Sequence, residues 1–332
     1  MREGGIWVFI EWANGAPREV CYELLGAARQ LREDLARTGR EATVWAVTFS
    51  SPSAAREQDL RRAGAQGLLE IPWKEAKSLD EILVSAALAR LAETYHPEIL
   101  LLGATAFGRS LAPRLAARLN AGLTADCTSL AIDPETGALL QTRPAFGGNL
   151  MATIVSRTRP QLATVRPKVF ARKRFEEGEW ERFLAPSEVP DSPIRILESV
   201  ARASGINIAD ADILVSLGQG ACSAECISLA RDLAGALGGA VASSRPVVDA
   251  GILPYAHQVG QTGKTVAPRI YLAIGISGAI QHMAGVAAET LIAVNTDPDA
   301  PIFQFAKWGL VGDGAQFLRE ALEAVRKVRK VE

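Results

Sequence analysis

Three glycine-containing stretches in the second half of the chain have the residue types of a phosphate-binding site. They are LGQGACS at 217–223, HQVGQTGKTVAP at 257–268 and GISGAIQHMAG at 275–285. The second contains the Gly-Lys-Thr that ends a triphosphate-binding loop, but such a loop requires glycine at position 258, where this chain has Gln258. The spacing therefore argues against a nucleotide triphosphatase and against a γ-phosphate contact for Lys264.

The first stretch is a partial dinucleotide-binding fingerprint. Gly218 and Gly220 follow a predicted strand and precede a predicted helix, but Ser223 stands where the fingerprint has glycine or alanine. A tight turn between a strand and a helix explains the same residues equally well, so both interpretations remain open.

The third stretch is predicted to begin a helix at Ser277, which can act as the N-cap. Gly278 and Ala279 leave this helix end accessible, and its free N–H groups favour an anion. His282 falls about one turn into the helix. All three stretches follow carboxyl ends of predicted strands, where open α/β sheets bind ligands, so the sequence predicts a cofactor that carries a pyrophosphate.

The elements that would position these stretches follow from the hydrophobic pattern. In the first half, short apolar runs alternate with helical spacing, which predicts a mostly parallel α/β sheet. Strands are predicted at 5–11, 42–49, 67–71 and 98–103, and helices at 18–39, 56–64, 78–94 and 110–122. After residue 126 the pattern becomes strand, turn at 133–137 and returning strand, followed by β-like runs at 149–156 and 161–167, which predicts an antiparallel addition.

A charged, proline-containing segment at 168–192 has linker composition, so it divides an N-terminal α/β domain at 1–190 from a second domain at 191–332. The second domain restarts the alternation and is predicted to be Rossmann-like and doubly wound. Its predicted strands are 212–218, 240–244, 270–277 and 290–296, and its predicted helices are 225–239 and 315–330.

Composition excludes several classes of protein. The 332 residues carry 36 basic and 37 acidic side chains without a basic stripe, which argues against nucleic-acid binding. Apolar residues make up 48%, but no run approaches the ~18 that a membrane helix needs. The first residues lack the apolar core of a signal peptide, so a cytoplasmic protein without a transmembrane segment is predicted.

The cysteines are scattered and have no histidine beside them, which predicts buried thiols rather than a metal site or an iron–sulfur cluster. They are Cys21, Cys127, Cys222 and Cys226, of which the last two could share one helical face. No general base or nucleophile is evident, and the three histidines, His96, His257 and His282, leave few possibilities for a catalytic triad.

Several longer stretches together resemble the alpha subunit of electron-transfer flavoproteins. They are SSRPVVDAG at 243–251, VGQTGKTVAP at 259–268, IYLAIGISGAIQHMAG at 270–285 and IAVNTDPDAPIFQFAKWGLVGD at 292–313, preceded in the first half by 100–130 and by QTRPAFGGN at 141–149. The resemblance covers nearly the whole chain and keeps the order of the motifs. It implies an FAD bound by the second domain and a beta subunit packed alongside.

The family's FAD contacts carry over, as implications of this resemblance, to matching positions. Thr262 would place its hydroxyl near flavin N5, His282 would face the flavin C2 carbonyl, and Arg245 would lie near the ring. The full implied set is Gln219, Ser244, Arg245, Val259, Gly260, Gln261, Thr262, Ser277, Gly278, Ala279, Ile280, Gln281, His282, Asn295 and Asp313. Gln219 departs from the family, which usually has an arginine there that helps to hold the pyrophosphate.

The resemblance implies an electron carrier rather than a self-contained enzyme. The heterodimer would exchange electrons with an acyl-CoA dehydrogenase-type or quinone-reductase partner. The family divides into simple carriers, whose beta subunit holds an AMP, and bifurcating members, whose beta subunit holds a second FAD and with which NADH is oxidised. The TRPAFGGN stretch at 142–149 is similar to the branch that includes bifurcating members. The alternatives are an NAD-binding or nucleotide-hydrolysing α/β enzyme and a non-catalytic nucleotide-sensing protein.

Overall fold

The chain forms two compact units, Met1–Val200 and Ala201–Glu332. The structure, a computed structural model, describes residues 4–72, 80–145, 150–176, 178–186 and 207–329. The predicted domain boundary between residues 190 and 191 lies outside the described residues and stays a prediction.

A seven-stranded sheet forms the centre of the first unit. Its strands are β1 (Ile6–Phe9), β2 (Val44–Thr48), β3 (Gly67–Glu70), β4 (Ile99–Gly103), β5 (Leu123–Cys127), β9 (Gln161–Val165) and β10 (Glu181–Leu184). Their order is β10-β3-β2-β1-β4-β9-β5, and every neighbouring pair is parallel. The parallel α/β prediction is therefore confirmed.

Four helices cover both faces of this sheet, which explains why its central strands are continuously apolar. They are α1 (Glu19–Arg37), α2 (Ala54–Ala63), α3 (Glu81–Tyr95) and α4 (Ala106–Leu119). α1 and α2 contribute to the core on one face, and α3 and α4 to the core on the other. A short ribbon also pairs Trp12–Ala13 with Ala16–Pro17.

Helix α4 begins at Ala106, four residues before the predicted position 110, and its first turn includes Gly108. Thr105 caps the helix by accepting a hydrogen bond from the Gly108 N–H at 3.0 Å. A Cβ at Gly108 would lie 1.9 Å from the Gly103 carbonyl oxygen, so glycine there allows the helix to start close to the end of β4.

The predicted antiparallel addition is a separate three-stranded sheet of β6 (Ser129–Ile132), β7 (Leu139–Ala145) and β8 (Leu150–Val155). Two details of the prediction were wrong. The run at 161–167 is not antiparallel, because β9 inserts between β4 and β5 of the parallel sheet. The segment expected to be a linker contains β10, which extends that sheet beyond β3.

The second unit is built on a five-stranded parallel sheet. Its strands are β11 (Ile213–Leu217), β12 (Ala240–Ser243), β13 (Ile270–Ile274), β14 (Thr290–Asn295) and β15 (Trp308–Val311), in the order β12-β11-β13-β14-β15. The chain therefore runs outward from β11 to β12 and then returns to the other side of β11. This reversal opens a crevice at the carboxyl ends of β11 and β13, the place where doubly wound sheets bind ligands.

The two faces of this sheet are covered differently. The long helices α5 (Ala224–Leu237) and α8 (Gly314–Arg329) share the core on one face. The short helix α6 (Arg245–Asp249) adds Val247 to that same core. The other face carries α7 (Ile280–Met283) and loop segments that contribute Val259, Ile276 and Ile302 to a second core. The Rossmann-like α/β prediction is confirmed, but the cavity described next is bordered by loops rather than long helices.

Candidate functional site

A cavity of about 540 Å³ lies at the carboxyl edge of the second sheet. Residues that follow β11, β12, β13 and β14 all line it, so it occupies the crevice created by the reversed strand order. Twelve of the fifteen residues implied by the resemblance line this cavity, all except Gly278, Ile280 and Asp313. The remaining lining residues are Gly220, Pro246, Gly275, Ile276, Asp297, Ala300 and Pro301.

The floor of the crevice depends on a close backbone contact between the turns that follow β11 and β13. A Cβ at Gly218 would lie 2.0 Å from the Gly275 carbonyl oxygen. The Gly218 N–H donates to the Ile274 carbonyl at 2.8 Å, and the Gly220 N–H donates to that of Gly275 at 3.2 Å. Glycine at 218 is therefore required by the contact between two backbones.

The open question on the first glycine stretch is answered by the turn itself. After Gly218 the chain forms a single 3₁₀ turn, Gln219–Ala221, and Ser223 caps α5 by accepting from the Cys226 N–H at 3.2 Å. Ser223 is thus a helix cap, while Gln219 and Gly220 line the cavity. Cys222 precedes α5, so the suggested shared helical face of Cys222 and Cys226 was wrong.

The loop of the second stretch is folded onto neighbouring segments by its main chain. The Gln261 N–H donates to the Gln281 carbonyl at 2.7 Å, and Gly260 has a φ of 137°, which glycine tolerates. The Gln258 amide donates to the Thr262 hydroxyl at 3.1 Å, and the Tyr255 hydroxyl donates to the Thr262 carbonyl at 2.8 Å. These bonds hold Thr262 at the cavity wall.

Lys264 lies outside the cavity lining, and its ammonium donates to the Asn207 side-chain oxygen at 2.9 Å. No helix follows the Gly-Lys-Thr, since the next regular element is strand β13. The geometry therefore agrees with the sequence argument against a triphosphate loop.

The predicted helix cap at Ser277 was wrong. Helix α7 begins at Ile280, and its N-cap position is Ala279, whose side chain makes no capping bond. Gly278 has a φ of 89°, and a Cβ there would lie 2.3 Å from the Ile302 nitrogen, so the chain bends here against a distant segment. Ser277 lines the cavity from that extended bend.

His282 is buried at the cavity wall, with 7% of its surface exposed. Its Nε2 lies 2.9 Å from the hydroxyl of Tyr271, which donates to the Ser216 hydroxyl at 2.8 Å. Its Nδ1 is buried and makes no hydrogen bond of regular geometry among the described residues, although the Val259 backbone lies close to the ring. Burial lowers the pKa of His282 to about 4, with a partly opposing effect from the Val259 backbone, so the ring is neutral near pH 7.

Sequence reasoning missed Tyr271 and Ser216. Each is a single polar residue in an otherwise apolar strand, which is a usable signal, since a buried hydroxyl normally has a hydrogen-bond partner. Tyr271 contacts Ser216 on β11 and His282 on α7, so the pattern within one strand could not show these contacts.

Three other implied residues have clear structural partners. Arg245 begins α6, and its guanidinium pairs with Asp249 at 3.2 Å while remaining largely exposed. The Asn295 amide donates to the Ile276 carbonyl at 3.0 Å, which fixes the turn after β13. Asp313 accepts from the Gln316 N–H at 2.8 Å at the start of α8 and does not line the cavity.

The lining fits an elongated, partly apolar ligand with polar ends. Val259, Ile276 and Ala300 supply apolar walls, while Arg245 supplies a cation. The buried Nδ1 of His282 is an unsatisfied polar atom, which such a ligand could satisfy. Across the described ranges, no group of three or more histidine, cysteine, aspartate or glutamate side chains is arranged to hold a metal ion.

Comparison with protein families gives two matches along the chain. Residues 6–186 match the electron transfer flavoprotein domain, and residues 207–287 match the electron transfer flavoprotein FAD-binding domain. The chain belongs to the alpha-subunit family of electron transfer flavoproteins. Its members act in electron transfer and pair with a beta subunit, and the cavity lies in the unit that matches the family's FAD-binding domain.

Individual relatives cover almost the whole chain. The electron transfer flavoprotein alpha subunit of Thermoanaerobacterium thermosaccharolyticum is 43% identical over 330 residues, 98% of each chain. That of Megasphaera elsdenii is 39% identical over 338 residues, again 98% of each chain. The LctC subunit of the lactate dehydrogenase (NAD(+),ferredoxin) of Acetobacterium woodii is 37% identical over 326 residues, 97% of this chain and 77% of that one.

Among the described residues of this chain, no helix is both long and apolar enough to cross a bilayer. The cytoplasmic location stays a prediction from the sequence.

Proposed function

We propose that this chain binds FAD in the cavity of its second unit and, with a beta subunit, passes electrons between a dehydrogenase or NADH and a downstream acceptor. The observation that carries the proposal is the convergence of twelve implied FAD contacts on one cavity at the strand-order reversal. The match of this unit to the family's FAD-binding domain supports the same ligand.

When bound, FAD supplies the redox chemistry, and the protein supplies binding, orientation and electrostatics. Thr262 presents a hydroxyl at the wall, oriented by Gln258. Arg245 contributes a positive charge beside the cavity, which favours negative charge entering the ligand. The neutral His282 is a hydrogen-bonding group shielded from water, which strengthens its interaction with such a charge.

The position of Gln219 gives a direct test of phosphate binding. Gln219 begins the turn after β11, lines the cavity and is exposed, so Gln219→Arg can add a cation without disturbing the core. We expect this variant to bind FAD several-fold more tightly, because a charge-assisted contact replaces a neutral one. The measurement is titration of FAD into flavin-free heterodimer. An unchanged affinity for FAD would show that residue 219 does not contact the phosphates.

We also propose that the heterodimer belongs to the bifurcating branch of the family. The relative from Acetobacterium woodii is named as part of an enzyme that uses NAD(+) and ferredoxin, and its similarity extends over 97% of this chain. The sequence at 142–149 supports the same branch, although residues 146–149 lie outside the described residues. An acyl-CoA dehydrogenase-type or quinone-reductase partner remains the proposed redox partner.

The experiment counts cofactors in the heterodimer purified after coexpression. Two FAD per heterodimer, with reduction by NADH, is the expected result for a bifurcating protein. One FAD with one AMP and no reduction by NADH would instead establish a simple carrier. A colourless heterodimer that releases no flavin would contradict both and leave a nucleotide-sensing protein as the explanation.

A further inference from the structure

The last strand of the antiparallel sheet, β8, is an apolar edge of the first unit. It spans Leu150–Val155, and among the described residues it pairs only with β7. Its four large apolar side chains, Leu150, Met151, Ile154 and Val155, are 40–59% exposed. Edge strands normally carry charged residues or proline, or are kept very short, which prevents pairing with other chains. β8 has none of these features, so we expect a partner to cover it.

The apolar side chains lie on both faces of β8. Successive residues of a strand point to opposite faces, so Leu150 and Ile154 share one face. Met151 and Val155 share the other face. A partner that docked on one face would leave the other exposed, whereas a strand added alongside β8 would cover both with its own side chains. The pattern therefore favours strand addition over docking of a flat surface.

The backbone of β8 has groups available to bond such a strand. The Thr142 carbonyl on β7 accepts from the Thr128 N–H at 2.8 Å, on the side of β7 that faces away from β8. Because the N–H and C=O of one residue point to the same side of a strand, Thr142 and its cross-strand partner Thr153 are a non-hydrogen-bonded pair. Thr153 therefore directs both groups away from β7, as do Met151 and Val155 by alternation.

The chain around β8 is basic. No acidic residue occurs between Glu135 and Glu176, a range that includes all of β8 and several arginines. Arg143 lies across from Ala152 of β8, and Arg157 follows two residues after the strand ends. Neither arginine forms an ion pair with a described residue. A strand that adds to β8 is therefore expected to bring carboxylates to its flanks.

Three kinds of occupant meet these properties differently. A second copy of the chain would bring two identical basic flanks together, which opposes pairing. A redox partner that binds transiently would leave β8 bare between encounters, and a bare apolar edge promotes aggregation. A permanent subunit covers the edge throughout. Alpha subunits of this family pair with a beta subunit, and β8 lies within the range that matches the electron transfer flavoprotein domain.

We propose that β8 is a docking edge for the beta subunit, which adds an apolar strand with flanking carboxylates alongside it. The whole interface is larger than this strand, since a specific complex buries roughly 800 Å² on each partner. The inference rests on the beta subunit of the proposed function. It does not require bound FAD, because the cavity lies in the other unit.

Residue-resolved hydrogen exchange of the intact heterodimer measures the outward backbone groups directly. We expect the three outward N–H groups to exchange as slowly as those of Ala152 and Ile154, which β7 holds. Fast exchange at the outward positions, with slow exchange at the two inward ones, would show that β8 is bare in the heterodimer and would overturn the proposal.

Thr153→Pro removes one outward N–H, and proline is tolerated in edge strands where the N–H faces outward. Thr153→Ala is the matched control, since it removes the same hydroxyl, which contacts Thr142, but keeps the N–H. We expect labelled beta subunit to exchange between heterodimers at least about tenfold faster in Thr153→Pro, and less than about threefold faster in Thr153→Ala. Equal exchange rates in the two variants would contradict strand addition at β8.

A second variant keeps the test decisive if proline disturbs the strand. Met151→Lys places a charge on a side chain that is already exposed, so the first unit stays folded. It too should speed subunit exchange at least about tenfold, because a charge at an edge opposes pairing. Val328→Lys is a comparable change at an exposed residue of α8 and should leave the rate unchanged.

Other occupants of β8 give different results. If a second copy of this chain covered the edge, both variants would break a larger assembly and leave subunit exchange at the parent rate. If a redox partner covered it, only electron transfer to that partner would slow. Either result would overturn the proposal. FAD content is measured in the same samples: a heterodimer without flavin would refute the proposed FAD binding, while the exchange rates would still decide the role of β8.

Discussion

Gly218→Ala is expected to destabilise the second unit by at least about 3 kcal/mol and to yield a heterodimer with little or no flavin. The added Cβ would lie 2.0 Å from the oxygen and 2.5 Å from the carbon of the Gly275 carbonyl. Both are backbone atoms held by the parallel pairing of β11 and β13, so the clash can be relieved only by separating those strands. Denaturant unfolding, together with the flavin content of the purified heterodimer, measures both effects.

Gly235→Ala is the matched control for this prediction. Gly235 lies inside α5, and a Cβ there would meet no atom within 4 Å. Alanine should stabilise the helix by roughly 0.5–1 kcal/mol, because glycine is a poor helix former. If Gly218→Ala were as stable as the parent and bound as much flavin, the close contact between the two turns would not be needed to form the cavity.

The second large effect is expected from the two polar side chains at the cavity wall, Thr262 and His282. Thr262→Ala and His282→Ala should each shift the midpoint potential of the bound flavin while the second unit stays folded. Loss of a hydrogen bond to a charged group costs about 1.5–3 kcal/mol, which corresponds to roughly 60–130 mV for one electron. His282→Ala should be the less stable variant, because it also leaves the buried Tyr271 hydroxyl without one partner.

Spectroelectrochemical titration with circular dichroism as the folding check measures this prediction. Tyr22→Phe serves as a control outside the second unit and should titrate like the parent. Parent-like potentials in both Thr262→Ala and His282→Ala would show that neither side chain interacts with the flavin.

Much of the site could be predicted from the sequence because its parts are local. Glycines at 218, 260 and 278 lie in turns where a side chain would be strained or would clash, and each turn belongs to a recognisable stretch. The resemblance then supplied the residues between them, most of which line one cavity. Asp313 is an exception, and its observed contact is with the first turn of α8.

The errors concern features that depend on distant parts of the chain. Ser277 has the residue type of a helix cap, but the packing of Gly278 against Ile302 delays the helix to residue 280. The run that became β9 has the same pattern as an antiparallel strand, and only its parallel pairing with β4 and β5 decides the sheet. β15 was missed although Trp308, Leu310 and Val311 are apolar, because the run is only four residues long and is interrupted by Gly309.

The Tyr271–Ser216–His282 chain shows the same limit at the level of single side chains. Its members come from β13, β11 and α7, and no spacing within the sequence relates them. The composition of a strand can show that a polar residue is out of place, but the partner becomes known only when the strands are ordered.

The most direct test of the FAD site is the flavin content of two neighbouring tryptophan variants. Ala279 lines the cavity, whereas the adjacent Ile280 is 55% exposed and does not. Ala279→Trp should fill the cavity and lose one FAD per heterodimer relative to the parent, while Ile280→Trp should retain the parent content. Equal FAD content in the parent and both variants would contradict binding of FAD in this cavity.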